Sequence, residues 1–361
     1  MQDSYGRKIT YLRISLTDKC NLRCRYCMPP EGVPQLSHSE ILSLEEVSRV
    51  AGLLTEMGID RIRLTGGEPL VRRGIGNLIR ELSALPAKPK LALTTNGVLL
   101  ADRLEAFAAA GLRSVNISLD TRDPETFRKL TGVDALEQVE RAIDRAVSLG
   151  FSVKLNCVPI RGINDGELAA LAEYAREREI AVRFIELMPI GCAGDFRGVS
   201  RAELMELLEK EFGRAELPGR NESAAPEKEN VAPSGKKSAT PSGMERDDES
   251  ADTSSEMHAD GPAEYVHFPG FKGDVGFISP LSHTFCDKCN RIRLTASGQL
   301  KLCLYYPDGL DVKKLIRGGC TDEELKEEIR KAILQKPKCH NFTDRQDAGN
   351  KEQRTMNQIG G

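Results

Sequence analysis

Leu12-Arg13-Ile14-Ser15-Leu16-Thr17 runs, after two residues, into Cys20-Asn21-Leu22-Arg23-Cys24-Arg25-Tyr26-Cys27. The first half alternates apolar and polar side chains, as a strand with one buried face does. The second half places three cysteines at the spacing Cys-x3-Cys-x2-Cys. Three thiolates on one loop suit a soft, polynuclear metal centre. A four-iron cluster held by three protein thiolates keeps its fourth iron open to an incoming ligand. A tetrahedral zinc site needs a fourth donor, and His38 stands some way down the chain. A redox pair, Cys24-x-x-Cys27, is the other reading, and it leaves Cys20 without a role.

Outward from this stretch, short apolar runs alternate with amphipathic ones. Strands are predicted at Leu12–Thr17, Arg61–Gly66, Leu91–Asn96, Ser114–Asp120, Val153–Ile160 and Val182–Pro189. Helices are predicted at Leu44–Met57, Gly74–Leu85, Ala101–Ala110, Asp134–Leu149 and Asp165–Arg178, with Gly58, Gly111 and Gly150 as stop signals. Six such units make an α/β chain with a parallel sheet, an incomplete (β/α)6 barrel of the TIM type. Active sites of that architecture lie at the C-terminal ends of the strands. The cysteine loop follows the first strand and so sits at that end.

Side chains alternate faces along a strand. Leu12, Ile14, Leu16, Ile62, Leu64, Leu91, Leu93, Val115, Ile117 and Leu119 share the parity that should face the helices. Arg13, Ser15, Arg63, Thr65, Thr94, Asn96, Asn116, Ser118, Lys154 and Asn156 share the other, which should face the interior. Buried cations need partners, and an anionic ligand in the channel would supply them. The alternative is a set of tilted or edge strands whose polar faces are merely solvated. The sixth strand is less regular, with Glu186 and Met188 on one parity and Arg183 on the other, and Arg183 receives no role.

Thr65-Gly66-Gly67-Glu68-Pro69 follows the second strand, and its paired glycines let a ligand approach the backbone. A second triplet, Cys286-x2-Cys289-x13-Cys303, lies far downstream. A zinc ribbon would need another Cys-x2-Cys, and His283 is the nearest candidate to complete a zinc site. A second cluster with an open iron is preferred. Arg291 and Arg293 share a parity beside it, and forked guanidinium groups suit phosphate and carbonyl oxygens. Cys157, Cys192, Cys320 and Cys339 read as small buried or surface thiols.

The chain has 361 residues and a net charge of −3, so no global basic field invites nucleic acid. Of ten cysteines six cluster in two triplets, which fits a reducing compartment and metal ligation better than a disulfide scaffold. A polar N-terminus and the lack of any apolar run of about 18 residues predict a soluble, cytoplasmic protein with no membrane span. Ser200 with Glu203 reads as a capping box for a helix to Phe212. From Pro218 to Pro262, Ser, Gly, Pro and charged residues dominate, which predicts a disordered insertion. Three regions follow: 1–217, a partial barrel; 218–262, the insertion; and 263–361, a smaller C-terminal iron–sulfur region. In the last, Leu310–Arg317 and Thr321–Leu334 read as helices, and Met356-Asn357-Gln358-Ile359-Gly360-Gly361 as a narrow tail able to enter a site.

Cys-x3-Cys-x2-Cys with Tyr26 before the last cysteine resembles the radical S-adenosylmethionine (SAM) enzymes. With Thr65–Pro69, the second triplet, Arg291-Ile292-Arg293 and the Gly-Gly end, the chain resembles the GTP 3′,8-cyclase family of molybdenum cofactor biosynthesis. The resemblance implies two [4Fe-4S] clusters, one on Cys20, Cys24 and Cys27 and one on Cys286, Cys289 and Cys303. It implies SAM contacts at Tyr26, Gly67, Ser118 and Met188. It implies GTP contacts at Arg13, Arg63, Thr94, Lys154, Arg291, Ile292 and Arg293, and catalytic roles for Arg13, Gly360 and Gly361. It implies a lyase in which a 5′-deoxyadenosyl radical takes the ribose 3′ hydrogen of GTP. The product would be (8S)-3′,8-cyclo-7,8-dihydroguanosine 5′-triphosphate, passed to cyclic pyranopterin monophosphate synthase. A one-electron donor and a homodimer belong to the same expectation. Rival readings are a peptide-modifying radical SAM maturase with an auxiliary cluster, and an iron–sulfur electron carrier without catalysis.

Overall fold

A computed structural model describes residues 1–217, 261–342 and 351–360. The expected insertion, apart from Gly261 and Pro262, and the terminal Gly361 lie outside the described residues. Six strands, β1 (Tyr11–Ser15), β2 (Arg61–Thr65), β3 (Lys90–Thr95), β4 (Ser114–Ser118), β5 (Ser152–Cys157) and β6 (Ala181–Ile185), lie side by side in chain order. All five contacts between them are parallel. Helices Leu44–Glu56, Ile75–Ser83, Leu104–Ala109, Leu136–Ser148 and Leu168–Glu177 fill the crossovers. Parallel neighbours require such crossovers, and these are the predicted βα units.

The C-terminal region continues the same sheet at both edges. β8 (Asp274–Ile278) runs parallel to β6 and carries antiparallel β7 (Glu264–Val266) outside it. β9 (Arg291–Leu294) runs parallel to β1, and antiparallel β10 (Gln299–Lys301) and β11 (Gly309–Asp311) follow. The order β11-β10-β9-β1-β2-β3-β4-β5-β6-β8-β7 has two unpaired ends, so the barrel stays open.

The apolar parity packs as expected. Leu12, Ile14, Ile62, Leu64, Leu93, Val115, Ile117 and Val153 are fully buried under the helices. Each such side chain contributes about 1.5–3 kcal/mol on leaving water. Ser43 with Glu46, Ser200 with Glu203 and Thr321 with Glu324 form reciprocal capping boxes at three helix starts. Gly58, Gly111 and Gly150 adopt φ of 105°, 100° and 72°, the left-handed geometry that ends a helix cheaply only at glycine.

Several expectations change. β6 ends at Ile185 rather than Pro189, so the alternation stops there and Met188 sits in a loop. Leu310 and Asp311 belong to β11, and the helix begins at Val312. A helix at Pro124–Thr131, capped by Asp123, had no counterpart in the periodicity reading. Within the tail, Met356–Ile359 form a helical turn.

Candidate active site

One cavity inside the open barrel is lined by both cysteine triplets, the first beyond the C-terminal end of β1 and the second at the N-terminal end of β9. Cys20, Cys24 and Cys27 line it together with Cys286, Cys289 and Cys303. Because β9 runs parallel to β1, the loop before β9 stands beside the segment that enters β1, and the two triplets face the cavity from opposite ends of these strands. Arg7 secures this junction: its guanidinium is paired with buried Asp3 and donates to Cys286 O at 2.8 Å.

The predicted inner parity also lines the cavity: Arg13, Arg63, Thr65, Thr94, Asn96, Asn116, Ser118 and Asn156. Register explains the charge density there. Arg13 stands opposite Arg63 on β2 and opposite Arg293 on β9, so three guanidiniums occupy one row across three strands. Burial and the neighbouring Arg293 hold Arg13 well below the usual arginine range. Burial and Arg291 bring Arg293 down to about 10. Such a row favours an anionic guest that can satisfy several forks at once. Lys154 is fully buried opposite Asn116 and is not among the residues that line the cavity. Arg183, which had no assigned role, lines the cavity and donates to Asn156 Oδ1 at 3.0 and 2.6 Å. Ile292 does the opposite: its side chain lies in the core across from Leu12, leaving only its backbone toward the site.

Tyr11 is a cavity residue the sequence reading missed, because that reading began the strand one residue late. It shares the parity of Arg13, accepts a short hydrogen bond from Arg63 Nε, and carries the Arg291 guanidinium over its ring at 5.6 Å. Burial opposes ionisation of its phenol, but Arg63, Arg13 and Arg291 outweigh it and hold Tyr11 at about 8.

The first cysteine loop is braced by residues whose motif value was not visible in isolation. Buried Glu68 accepts from Leu70 N at 2.9 Å, Thr95 Oγ1 at 2.8 Å and Asn96 N at 2.7 Å, tying the β2 loop to the end of β3. Burial nevertheless pushes its carboxyl up to about 7. Asp120 accepts from the Tyr26 hydroxyl and from Val158 N, both at 2.8 Å, which fixes the Tyr26 ring beside the cysteines. The paired glycines, which both line the cavity, also permit a close contact within the chain. A Cβ on Gly66 would meet Thr17 O at 2.8 Å, and one on Gly67 would meet Lys19 O at 2.5 Å. Gly67 N donates to Thr17 O at 2.7 Å and Glu68 N to Lys19 O at 2.8 Å. The loop is therefore pressed onto the segment that delivers Cys20.

The tail enters the same cavity. Met356 and Asn357 line it, Asn357 Nδ2 donates to Asp18 O at 3.0 Å, and the Asn357 backbone N–H reaches the Cys27 thiol. Gly360 has φ 89°, and a Cβ there would meet Ser15 Cβ at 2.5 Å. Its carbonyl accepts from Arg293 Nη1 at 3.1 Å. Met188 reaches the cavity from its loop, and Gly67 and Tyr26 also line it.

The donor sets suit iron–sulfur clusters. Burial and the Cys27 sulfur push Cys24 well above the usual thiol range, and burial and Cys20 push Cys27 up to about 12. Thiols so crowded become thiolates only with a cationic centre among them, which a cluster provides. Burial also raises Cys289, but Lys336, Arg291 and Arg7 outweigh it and the thiol lies below its ordinary value. Among the described residues no three His, Cys, Asp or Glu side chains close around a single ion. A polynuclear cluster spreads its thiolates over separate irons and needs no such closure. His38 and His283 are exposed and stand outside the cavity lining. Asn116 Oδ1 and Arg291 Nε are buried on the cavity walls with no hydrogen-bond partner among the described residues, as atoms awaiting a ligand would be.

Comparison with known proteins agrees with this geometry. Residues 14–175 match the Radical SAM superfamily and residues 242–342 match Molybdenum Cofactor Synthesis C. The GTP 3′,8-cyclase of Desulforamulus reducens is 44% identical over the full length of both chains, and that of Clostridium perfringens 39%. Streptococcus suis SuiB shares the fold at a TM-score of 0.53 and 14% identity, over 88% of this chain and 64% of that one. With both cysteine triplets, the arginine row and the tail converging on one cavity, the chain belongs to the GTP 3′,8-cyclase family of the radical SAM superfamily.

Proposed function

We propose that this chain converts GTP to (8S)-3′,8-cyclo-7,8-dihydroguanosine 5′-triphosphate, the first step of molybdenum cofactor biosynthesis, with two [4Fe-4S] clusters and SAM. The observation that carries the reading is the single cavity with one thiol triplet at each side and three arginines in register between them. Cys20, Cys24 and Cys27 would hold the first cluster, and Cys286, Cys289 and Cys303 the second. When bound, the first cluster and SAM supply a reducing electron and a hydrogen-abstracting radical.

The protein's own part is binding, orientation and exclusion of water. Tyr26, held by Asp120, together with Gly67, Ser118 and Met188, forms the SAM side of the cavity. Arg13, Arg63, Thr94, Lys154, Arg291 and Arg293, with the backbone of Ile292, form the GTP side. The guanidinium row would take the triphosphate, whose several charges need several forked donors. Tyr11 orients Arg63 and Arg291, and Arg183 is held toward the same space by Asn156. Gly360 and Gly361, with Arg13, complete the catalytic set, and the Arg293 contact to Gly360 supports that assignment. The tail also fills space that water would otherwise occupy.

The finer organisation is part of the same proposal: a partial barrel over 1–217, an insertion over 218–262 and a second-cluster region over 263–361. A cytoplasmic setting, a one-electron donor, a homodimer and delivery of product to cyclic pyranopterin monophosphate synthase complete it. No helix among the described residues is long and apolar enough to cross a membrane. The test is one anaerobic incubation of reconstituted protein with SAM, GTP and a strong reductant. A cyclised isomer of GTP together with 5′-deoxyadenosine supports the reading; 5′-deoxyadenosine with GTP untouched removes the substrate assignment.

A further inference from the structure

The C-terminal segment is attached at its start by a buried charge cluster that none of the chemistry above uses. Glu352 is buried, and its carboxylate forms a short ion pair with Lys301 Nζ, a group that is itself fully buried. Arg354 closes on the same carboxylate with two forks, Nε to Oε1 at 2.8 Å and Nη2 to Oε2 at 2.7 Å. Burying such charges is costly, and the best-attested reason to retain them is to fix one register.

The position of the cluster is informative. Lys301 on β10 stands opposite Arg293 on β9, and Arg293 holds Gly360 O. One cross-strand pair therefore grips both ends of the segment from 352 to 360. Lys301 is also two residues from Cys303. The loop that carries Cys303 is the tail's dock, since Glu352 N donates to Tyr305 O at 2.6 Å and Lys301 Nζ to Tyr306 O at 2.5 Å. Whatever fixes Cys303 fixes the surface on which the tail rests.

We propose that Lys301, Glu352 and Arg354 are positioning residues that clamp the C-terminal segment into the cavity, and that the clamp couples its seating to occupancy of the second cysteine triplet. The proposal rests on the functional reading only for its kinetic arm, because tail seating is measurable whatever the substrate. Burial pushes the Glu352 carboxyl up, but Arg354 and Lys301 outweigh it and hold it at about 2, so the carboxylate at the centre of the clamp is charged throughout the neutral range, while burial lowers Lys301 against the pull of Glu352.

The experiment uses full-length protein, anaerobically reconstituted, in three forms: unaltered, Glu352→Gln, and Lys301→Met with Glu352→Gln. The double variant leaves no lone lysine charge in the core, so it remains informative if the single variant fails to fold. Peptide-level hydrogen exchange over 351–360 is read beside iron content, melting temperature and steady-state kinetics. The clamp predicts tail exchange faster by about tenfold or more in the double variant, with iron content and exchange of β1–β6 unchanged. It predicts a fall in kcat of about 100-fold with KM for GTP little altered, since misplacing a reacting group by about 1 Å costs that much. Cys303→Ala, which removes a ligand of the second triplet only, should speed tail exchange in the same way. Tail exchange unchanged in the double variant would overturn the clamp. Unchanged exchange in Cys303→Ala would overturn the coupling. Faster tail exchange without any GTP turnover in the unaltered protein would retain the clamp and sink the substrate reading instead.

Discussion

Gly67→Ala separates two roles for the glycine pair. The backbone at Gly67 is one that alanine can adopt, so the substitution tests only the close approach. A methyl there would lie 2.5 Å from Lys19 O, 2.7 Å from Asp18 O and 2.8 Å from Lys19 C, all of them backbone atoms with nowhere to rotate. Non-bonded heavy atoms settle at about 3.5 Å or more, so the two segments must part by about 1 Å. Overpacking of that kind costs about 1–3 kcal/mol. The parting also strains two hydrogen bonds, Gly67 N to Thr17 O and Glu68 N to Lys19 O, each worth about 1 kcal/mol. Together that is about 3–5 kcal/mol, a large share of a domain's typical 5–15 kcal/mol. Because the strain falls on the segment that delivers Cys20, the expected outcome is loss of iron from the first triplet with the parallel sheet still folded. The assay is iron and sulfide content after anaerobic reconstitution, beside SAM binding by calorimetry and thermal unfolding. Full iron content and unaltered stability with only SAM affinity lost would refute the packing argument and return Gly67 to a purely ligand-facing role.

Arg293→Ala removes one guanidinium of the row and the contact to Gly360 O; GTP binding should weaken by about 10- to 100-fold while SAM binding stays unchanged, read by calorimetry on each ligand. Asp120 gives a pH signature. Burial raises its carboxyl from 3.8 to about 6, so its favourable contribution is complete below pH 3.8 and is lost as the pH rises through about 6. Asp120→Asn should therefore gain about 3 kcal/mol relative to the unaltered protein between pH 3.8 and 8, and a pH-independent difference in denaturant unfolding would contradict this. Clusters with an open iron are vulnerable to oxidation, so air exposure should release iron and abolish turnover together; retention of both would count against the cluster reading.

Much of the architecture was legible because parity and periodicity are local. Leu12, Ile14, Ile62 and Leu64 lie on the face their alternation assigns, and Arg13, Arg63 and Thr94 on the other. What escaped was whatever depended on pairing across the chain. β8 and β9 are short and read as ordinary segments until β6 and β1 receive them. The arginine row is a property of register between β9, β1 and β2, and no single strand carries it. Glu68 and Asp120 stood in plain view, but their roles come from partners 27 to 94 residues away. Met188 came from the resemblance alone, and strand parity could not have placed it, since β6 ends before it. The glycine pair was noticed for a sound general reason, while its close contacts lie with Thr17 and Lys19.

The central claim is that one cavity brings SAM chemistry to GTP. The most direct measurement incubates the anaerobically reconstituted protein with SAM, a strong reductant and GTP deuterated at the ribose 3′ position, read by mass spectrometry. The account predicts deuterium in 5′-deoxyadenosine and a cyclised isomer of GTP formed in step with it. Unlabelled 5′-deoxyadenosine beside unchanged GTP, with both cysteine triplets loaded, would contradict it.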